Sequence, residues 1–277
     1  ALRSEGFSLF CGVPDTVTKG FSAALEGEAG HLVAANEGGA VALAAGHHLA
    51  TGAYGAVYLQ NSGLGNAVNP LLSLADRDVY GIPMLLLVGW RGEPGVPDEP
   101  QHEVQGARTR PMLDLLGIPH EILPRTDAEA REAVARLAGL MKREGRVVAL
   151  LVRSGTFADL PAGVPEPPGL PLTREGAIRR VASAVGREDV IVATTGKASR
   201  ELYECRIRSG ETGDGDFLMV GSMGHASQIA LGISLARPDR TVWCLDGDGA
   251  VLMHAGGLAI VGSRRPARFT HVVLNNG

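Results

Sequence analysis

Two short segments near the end of the chain limit its folding most: Gly247-Asp248-Gly249 and Asn275-Asn276, with residues 250–274 between them. They follow apolar runs, 241–245 and 269–274, that read as buried parallel strands. Parallel neighbours need a crossover, and the intervening stretch is long enough to hold a helix. A strand–turn–helix–strand unit brings both strand ends to one edge of a sheet, so an acid and an amide converge there. Hard oxygen ligands of this kind suit Mg²⁺, which takes one or two carboxylates or carbonyls together with phosphate oxygens. The glycines beside Asp248 leave backbone N–H groups open to a diphosphate. Asp-Gly at a strand end is also a common turn, so the two segments together say more than either alone.

A length of 277 residues accommodates two α/β domains, and 45% hydrophobic content with 38 glycines fits a compact, loop-rich chain. The net charge of −4 gives no reason to expect nucleic acid or an anionic membrane as partner. Cys11, Cys205 and Cys244 form no disulfide framework and lack metal-ligand spacing. Cys11 and Cys244 lie in apolar strands and read as core. The longest apolar stretch, 82–90, is too short to span a bilayer, and no signal peptide is visible, so a cytoplasmic setting is expected. The chain opens inside a stretch that reads as a helix (1–6) and stops just after the Asn-Asn strand. The second domain is therefore expected to be incomplete.

Strand-like runs fall at 8–13, 31–35, 55–60, 83–89, 120–123 and 146–152, with helical patterns at 17–26, 39–50, 65–80, 110–116 and 127–143. Asp127 is the expected N-cap of the last helix. Residues 158–171 hold five prolines and can join neither a helix interior nor a central strand. Beyond them Thr173 caps a new helix, and strands follow at 190–193, 217–220, 241–245 and 269–274. The alternation predicts an α/β protein of two doubly wound parallel-sheet domains, 1–157 and 173–277, joined by a Pro-rich linker at 158–172.

With those positions assigned, the 247–249 and 275–276 pair resembles the cofactor-binding motif of thiamine-diphosphate (ThDP) enzymes, and the expected domains resemble that fold. The first resembles the pyrimidine-binding domain, and its Ala35-Asn-Glu37-Gly-Gly segment is similar to the one carrying the cofactor-activating glutamate. The resemblance implies that Glu37 hydrogen-bonds the aminopyrimidine ring and shares a proton with it. A helix-terminal acid favoured by the macrodipole is the plain alternative. The second resembles the diphosphate-binding domain. There Gly221-Ser222-Met223-Gly224 is similar to the turn that grips the pyrimidine, Met223 propping the cofactor in its bent form. It is no nucleophile elbow, because Val220 stands where G-x-S-x-G needs its first glycine. The same resemblance implies Asp248 and Asn276 as ligands of Mg²⁺, with Gly247, Gly249 and Ala250 along the diphosphate.

Within that family the chain resembles phosphonopyruvate decarboxylases most, and sulfopyruvate decarboxylases next. The segments 12–15, the Asn36-Glu37 helix, 60–70, 89–102, 194–197 and 221–225 carry the likeness, with Trp90-Arg-Gly-Glu-Pro-Gly95 and Asp98-Glu-Pro-Gln-His102 the most distinctive. Ala198 departs from it, since a hydroxyl residue is expected after Lys197. The resemblance implies a lyase that uses ThDP and Mg²⁺ to decarboxylate 3-phosphonopyruvate to phosphonoacetaldehyde and CO₂, a step of phosphonate and antibiotic biosynthesis. It also implies a homo-oligomer with its active site at the subunit interface. Asp15, at the first strand's end, and His102 become candidates for substrate and proton handling beside Glu37. Asn61, Arg91 and Lys197 become candidate substrate ligands. Asp15 also reads as a cap of the next helix, Asn61 and Asn66 as loop-satisfying amides, and Arg91 and His102 as members of a long loop after Gly89.

Other readings stay open. A sulfopyruvate decarboxylase would need a nearly identical anion pocket. An acetolactate-type carboligase is disfavoured by the missing middle domain. An NAD-binding Rossmann protein fails because Gly63-Leu-Gly65 runs on to Val68 instead of a third glycine. A cofactor-free oligomerisation domain that kept the fold remains the blandest.

Overall fold

The computed structural model describes residues 1–158, 172–186 and 188–275, so nearly all of the expected linker and Asn276 lie outside the described residues. Clustering of contacts divides the chain into two compact units, Ala1–Gly163 and Val164–Gly277.

The first unit holds strands β1 (Phe7–Gly12), β2 (His31–Val33), β3 (Tyr54–Gln60), β4 (Met84–Gly89), β5 (His120–Ile122) and β6 (Val147–Val152). Its helices are α1 (Lys19–Ala23), α2 (Glu37–Thr51), α3 (Leu64–Pro70), α4 (Pro100–Leu115) and α5 (Asp127–Glu144). The six strands are parallel in the order β2-β1-β3-β4-β6-β5. Every residue of β4 and β6 is buried, which is why these strands read as unbroken apolar runs. One face of the sheet packs Ala40, Val41 and Ala44 of α2, Leu64 and Leu113. The other packs Ala133, Val134, Leu137 and Met141 of α5. The direction in which successive strands are added to the sheet reverses between β1 and β3, so the carboxyl ends of those strands flank the crevice where α/β sheets bind ligands.

The second unit is smaller. Its helices are α6 (Arg174–Ala184), α7 (Lys197–Arg208), α8 (Ala226–Ala236), α9 (Asp248–Met253) and α10 (Gly256–Arg264). Strands β7 (Val190–Ala193), β8 (Asp216–Leu218), β9 (Val242–Gly247) and β10 (Phe269–Leu274) are parallel in the order β10-β9-β7-β8. Ile178 and Leu202 cover one face, Ala226 and Ala230 the other. Here the reversal falls between β7 and β9, where Thr194 and Gly247-Asp248 emerge. Two parallel, doubly covered sheets are the fold class the alternation predicted.

Several expectations need correction. The helix expected over 17–26 shrinks to α1, because Asp15 first organises a turn through Val17 and Thr18. The one expected over 65–80 is α3 followed by a π-helical turn, Leu71–Ala75, the change falling at Pro70. Thr126, not Asp127, is the N-cap of α5. Residues 1–6 hold only a 3-10 turn, Arg3–Glu5, and the strand expected at 217–220 is β8. The largest change concerns the expected loop of Arg91 and His102: α4 begins at Pro100 and places His102 in its first turn.

Candidate functional site

Glu37 is the first residue of α2, whose N-cap Asn36 accepts a 2.8 Å hydrogen bond from the Gly39 N–H. The residue is only 4% exposed. Asn66 on α3 donates its side-chain N–H to Glu37 Oε2 at 2.8 Å. The other oxygen, Oε1, lies over Gly63, where an added Cβ would come within 2.1 Å of it. No side chain fits at 63 while the carboxyl stays in place.

A second constellation sits at the carboxyl ends of β1, β3 and β4. Asp15 Oδ1 accepts from the Val17 N–H at 2.6 Å, and Oδ2 accepts from the Thr18 hydroxyl. Burial pushes the Asp15 carboxyl above its usual pKa, while these hydrogen bonds and the charge of Arg91 pull it back. Arg91 forks onto Asp98, Nε to Oδ2 at 2.9 Å and Nη2 to Oδ1 at 2.5 Å, and Nη1 donates to Thr16 Oγ1 at 3.0 Å. Asp98 also accepts the N–H groups of Gly92 and Glu99, each at 2.7 Å. The hydrogen bonds from Arg91 hold the Asp98 carboxyl far below the usual range, and Asp98 in turn raises Arg91. Burial, then the charge of Arg91, holds the His102 imidazole below its usual pKa, against the opposing charges of Asp98 and Glu99. Its Nε2 lies 3.7 Å from Glu99 Oε2.

Asn61, 2% exposed, holds this constellation together. Its amide donates to the Arg91 carbonyl and to Thr109 Oγ1, both at 2.8 Å, and its Oδ1 accepts the Arg91 N–H at 3.2 Å. Thr109, on α4, is a member the sequence did not reveal. Close backbone approach seats the helix: a Cβ at Gly106 would lie 1.6 Å from the Gly92 carbonyl, and Trp90 Nε1 donates to the Gly106 carbonyl at 2.9 Å.

In the second unit the motif residues come together through backbone. Gly221-Ser222-Met223-Gly224 turns sharply, with Ser222 at φ 56° and Gly224 at φ 89°. The bare Gly224 lets the turn pack on α9, since a Cβ there would lie 3.1 Å from the Ala250 carbonyl. Met223 is half exposed, and its Cε lies 3.8 Å from where a Gly249 Cβ would be. Gly247 caps α9, Asp248 is its first residue, and Ala250 is buried within it. Lys197, the first residue of α7, is exposed. Between them, Thr194 is 4% exposed and its hydroxyl has no partner among the described residues. An orphaned buried hydroxyl at the reversal of the sheet, beside open glycines and an acid, fits a polar ligand and a cation.

One further cluster lies below that turn. Cys244, Asp246 and His271 bring ligand-type atoms within 4.8 Å of one another, and His271 Nε2 stands 3.4 Å from Asp246 Oδ2. Asp246, 1% exposed, also accepts the Gly247 N–H at 3.0 Å and so braces the strand end that carries Asp248. Cys244 is buried, and that burial drives its thiol far above its usual pKa. Register alone makes this group, since His271 pairs with Cys244 across the sheet.

Residues 1–110 match the thiamine pyrophosphate enzyme N-terminal TPP binding domain, and residues 212–277 match the C-terminal TPP binding domain. A phosphonopyruvate decarboxylase of Streptomyces viridochromogenes is 38% identical over 262 residues, covering 89% of this chain and 64% of the relative. One of Streptomyces hygroscopicus is 36% identical, covering 89% and 63%. The chain thus spans just under two thirds of the length of these relatives. A sulfopyruvate decarboxylase subunit alpha of Methanothermobacter thermautotrophicus is 39% identical over 122 residues, 44% of this chain and 71% of that subunit. Among solved structures, a benzoylformate decarboxylase from Polynucleobacter necessarius aligns with TM-score 0.46 and 16% identity, over 88% of this chain and 41% of that one.

Proposed function

The chain belongs to the thiamine pyrophosphate enzymes, and from that premise we propose that it decarboxylates 3-phosphonopyruvate to phosphonoacetaldehyde and CO₂. The observation that supports this substrate is the similarity itself. Two phosphonopyruvate decarboxylases are 38% and 36% identical over 89% of the chain, against 30% over 86% for a sulfopyruvate decarboxylase from Methanosarcina acetivorans.

ThDP, when bound, supplies the electron sink that lets the bond between C1 and C2 of a 2-oxoacid break. The protein's share is binding, orientation and proton management. In this reading Glu37 holds the proton exchanged with the pyrimidine ring, in a seat closed by Gly63 and Asn66. The Gly221–Gly224 turn and Met223 shape the ring's other contacts. Asp248 would hold Mg²⁺, together with Asn276 beyond the described residues, and the open Gly247 and Gly249 would leave their N–H groups to the diphosphate. Asp15 and His102 handle protons at the substrate end. Arg91 enters with Nε and Nη2 engaged by Asp98 and one Nη1 hydrogen engaged by Thr16, so its contribution to anion binding comes through the hydrogen that remains on Nη1, and Asn61 acts through Arg91 by fixing its backbone. Lys197 is an exposed cation able to take the acid group. Relatives named as alpha and beta subunits are multi-subunit proteins, and we read this chain as self-associating with its active site shared between subunits. No described helix is long and apolar enough to cross a membrane.

The test is kcat/KM for phosphonopyruvate, sulfopyruvate and pyruvate in one assay, repeated with Lys197→Ala. A site built for a terminal dianion rejects a substrate lacking it, by a factor on the order of 10⁴. Pyruvate turning over as well as the dianions would reject the anion site. Sulfopyruvate winning tenfold would keep the chemistry and change the substrate.

A further inference from the structure

The carboxyl of Glu37 is held by two groups from one short segment: Gly63, ending a 3-10 turn, and Asn66 in the first turn of α3. Their spacing of three residues along continuous helical backbone puts both on the same face, toward α2. Their effects on the two oxygens differ. The Asn66 side-chain nitrogen carries hydrogens and cannot accept, so Oε2, 2.8 Å away, is an acceptor in either protonation state of Glu37. Oε1 rests on bare Gly63 backbone, with room for no side chain there. A proton on this carboxyl therefore sits on Oε1. Asn66 is itself exposed while Glu37 is buried, so the amide stands between the carboxyl and the surface of its unit.

We infer that Asn66 is a positioning residue for Glu37, fixing Oε2 as the acceptor so that Oε1 carries the proton exchanged with the cofactor ring. This rests on the role proposed above for Glu37. A carboxyl free to rotate would present either oxygen, and each misorientation removes the proton from the line along which it must move. Losses of about tenfold to a hundredfold are typical when a reacting group is misplaced in this way. Because Asn66 lies at the surface, removing its amide leaves the core packing of the unit untouched.

The experiment compares wild type, Asn66→Ala, Asn66→Asp, Glu37→Gln and the double variant Glu37→Gln/Asn66→Ala, all as holoenzymes. Asp has the shape of Asn and exchanges the fixed N–H donor for a second carboxyl that competes with Glu37 for the proton. Four quantities are measured: kcat, KM, the Kd for ThDP with Mg²⁺, and the rate at which the thiazolium C2–H of bound ThDP exchanges for deuterium. The last reads proton handling without substrate. The expected result is a tenfold to hundredfold fall in kcat and in C2 exchange for both Asn66 variants. KM and Kd should stay within about threefold, and Asn66→Ala should add nothing in the Glu37→Gln background. Exchange at the wild-type rate in the Asn66 variants, with Glu37→Gln collapsed, overturns the inference and leaves the role of Glu37 standing. A large loss of ThDP affinity in the Asn66 variants overturns it too, by making Asn66 a cofactor ligand. Wild-type exchange in Glu37→Gln removes the role of Glu37 and the inference with it.

Discussion

The two units present their motif residues in opposite ways. In the first, the candidate residues are side chains tied to each other, with Glu37 and Asn61 buried: Glu37 to Asn66, and Asn61 and Asp98 to Arg91. In the second, the motif residues are mainly bare backbone, open glycines and an exposed lysine around a sharp turn. The difference follows from the tasks proposed for them. Moving a proton needs one atom held in one place, which takes fixed side chains. Binding phosphate and a cation needs N–H groups and oxygens that a bulky ligand can approach, which takes the absence of side chains. Side-chain changes in the first unit should thus affect turnover more than affinity, and those in the second unit affinity first.

The largest effect should come from Glu37→Gln. Gln keeps the shape and loses the shared proton, so kcat should fall by a factor of about 10² to 10⁴ while ThDP affinity changes little. Kinetics with a ThDP titration checks both halves. A variant that lost cofactor affinity in proportion to turnover would break the contrast between the units.

Next, Asp248→Ala should abolish the thermal stabilisation that ThDP and Mg²⁺ give the protein. A ligand at a hundredfold excess over its Kd stabilises by about 2.7 kcal/mol. Melting curves across a ThDP titration measure this, and a wild-type protein whose melting temperature ignores ThDP would remove the cofactor site from the second unit.

How far the sequence could announce these features depends on whether they are made of local pattern or of long-range contact. The strands were legible because parallel, doubly covered strands must be apolar throughout, as β4 and β6 are. The glycine motifs were legible because residue type alone carries their meaning. Helix α4 was not. Only Gly106, Thr109 and Leu113 of its sixteen residues are buried, and it holds its place by backbone contact at Gly92 and Gly106. Such a helix has almost no apolar stripe, so nothing in its residue pattern separates its N-terminal half, with His102, from a loop. Pairings between distant positions were invisible for another reason. Glu37 with Asn66, and Asn61 with Thr109, depend on which helix lies over which strand end. The engagement of Arg91 by Asp98, seven residues away, was hidden by the shape of the intervening turn.

That engagement gives the smallest and most discriminating effect. Asp98→Asn keeps the shape but turns a charge-assisted fork into neutral contacts, at a cost of about 1.5–3 kcal/mol at neutral pH. The sign with pH follows from the depressed Asp98 carboxyl, whose ordinary value is 3.8. Stability due to its ionised form is fully present above 3.8 and is lost as pH falls from there through the lower folded value. The difference in urea midpoint between wild type and Asp98→Asn should therefore be widest at pH 7 and narrower at pH 3. The second unit supplies the control, because Arg206 forks onto Asp216 at 2.8 and 3.1 Å and ties α7 to β8. Asp216→Asn should lower stability and leave kcat/KM for phosphonopyruvate within about twofold, since no proposed substrate contact passes through it. Asp98→Asn should lower both, because Arg91 Nη1 is aimed only while the fork holds its guanidinium plane. A midpoint difference constant from pH 7 to pH 3 would show that Asp98 does not act as an ionised partner. Equal kinetic losses in the two variants would show that a partly buried arginine fork does the same work in both units, and the contrast between them would fall.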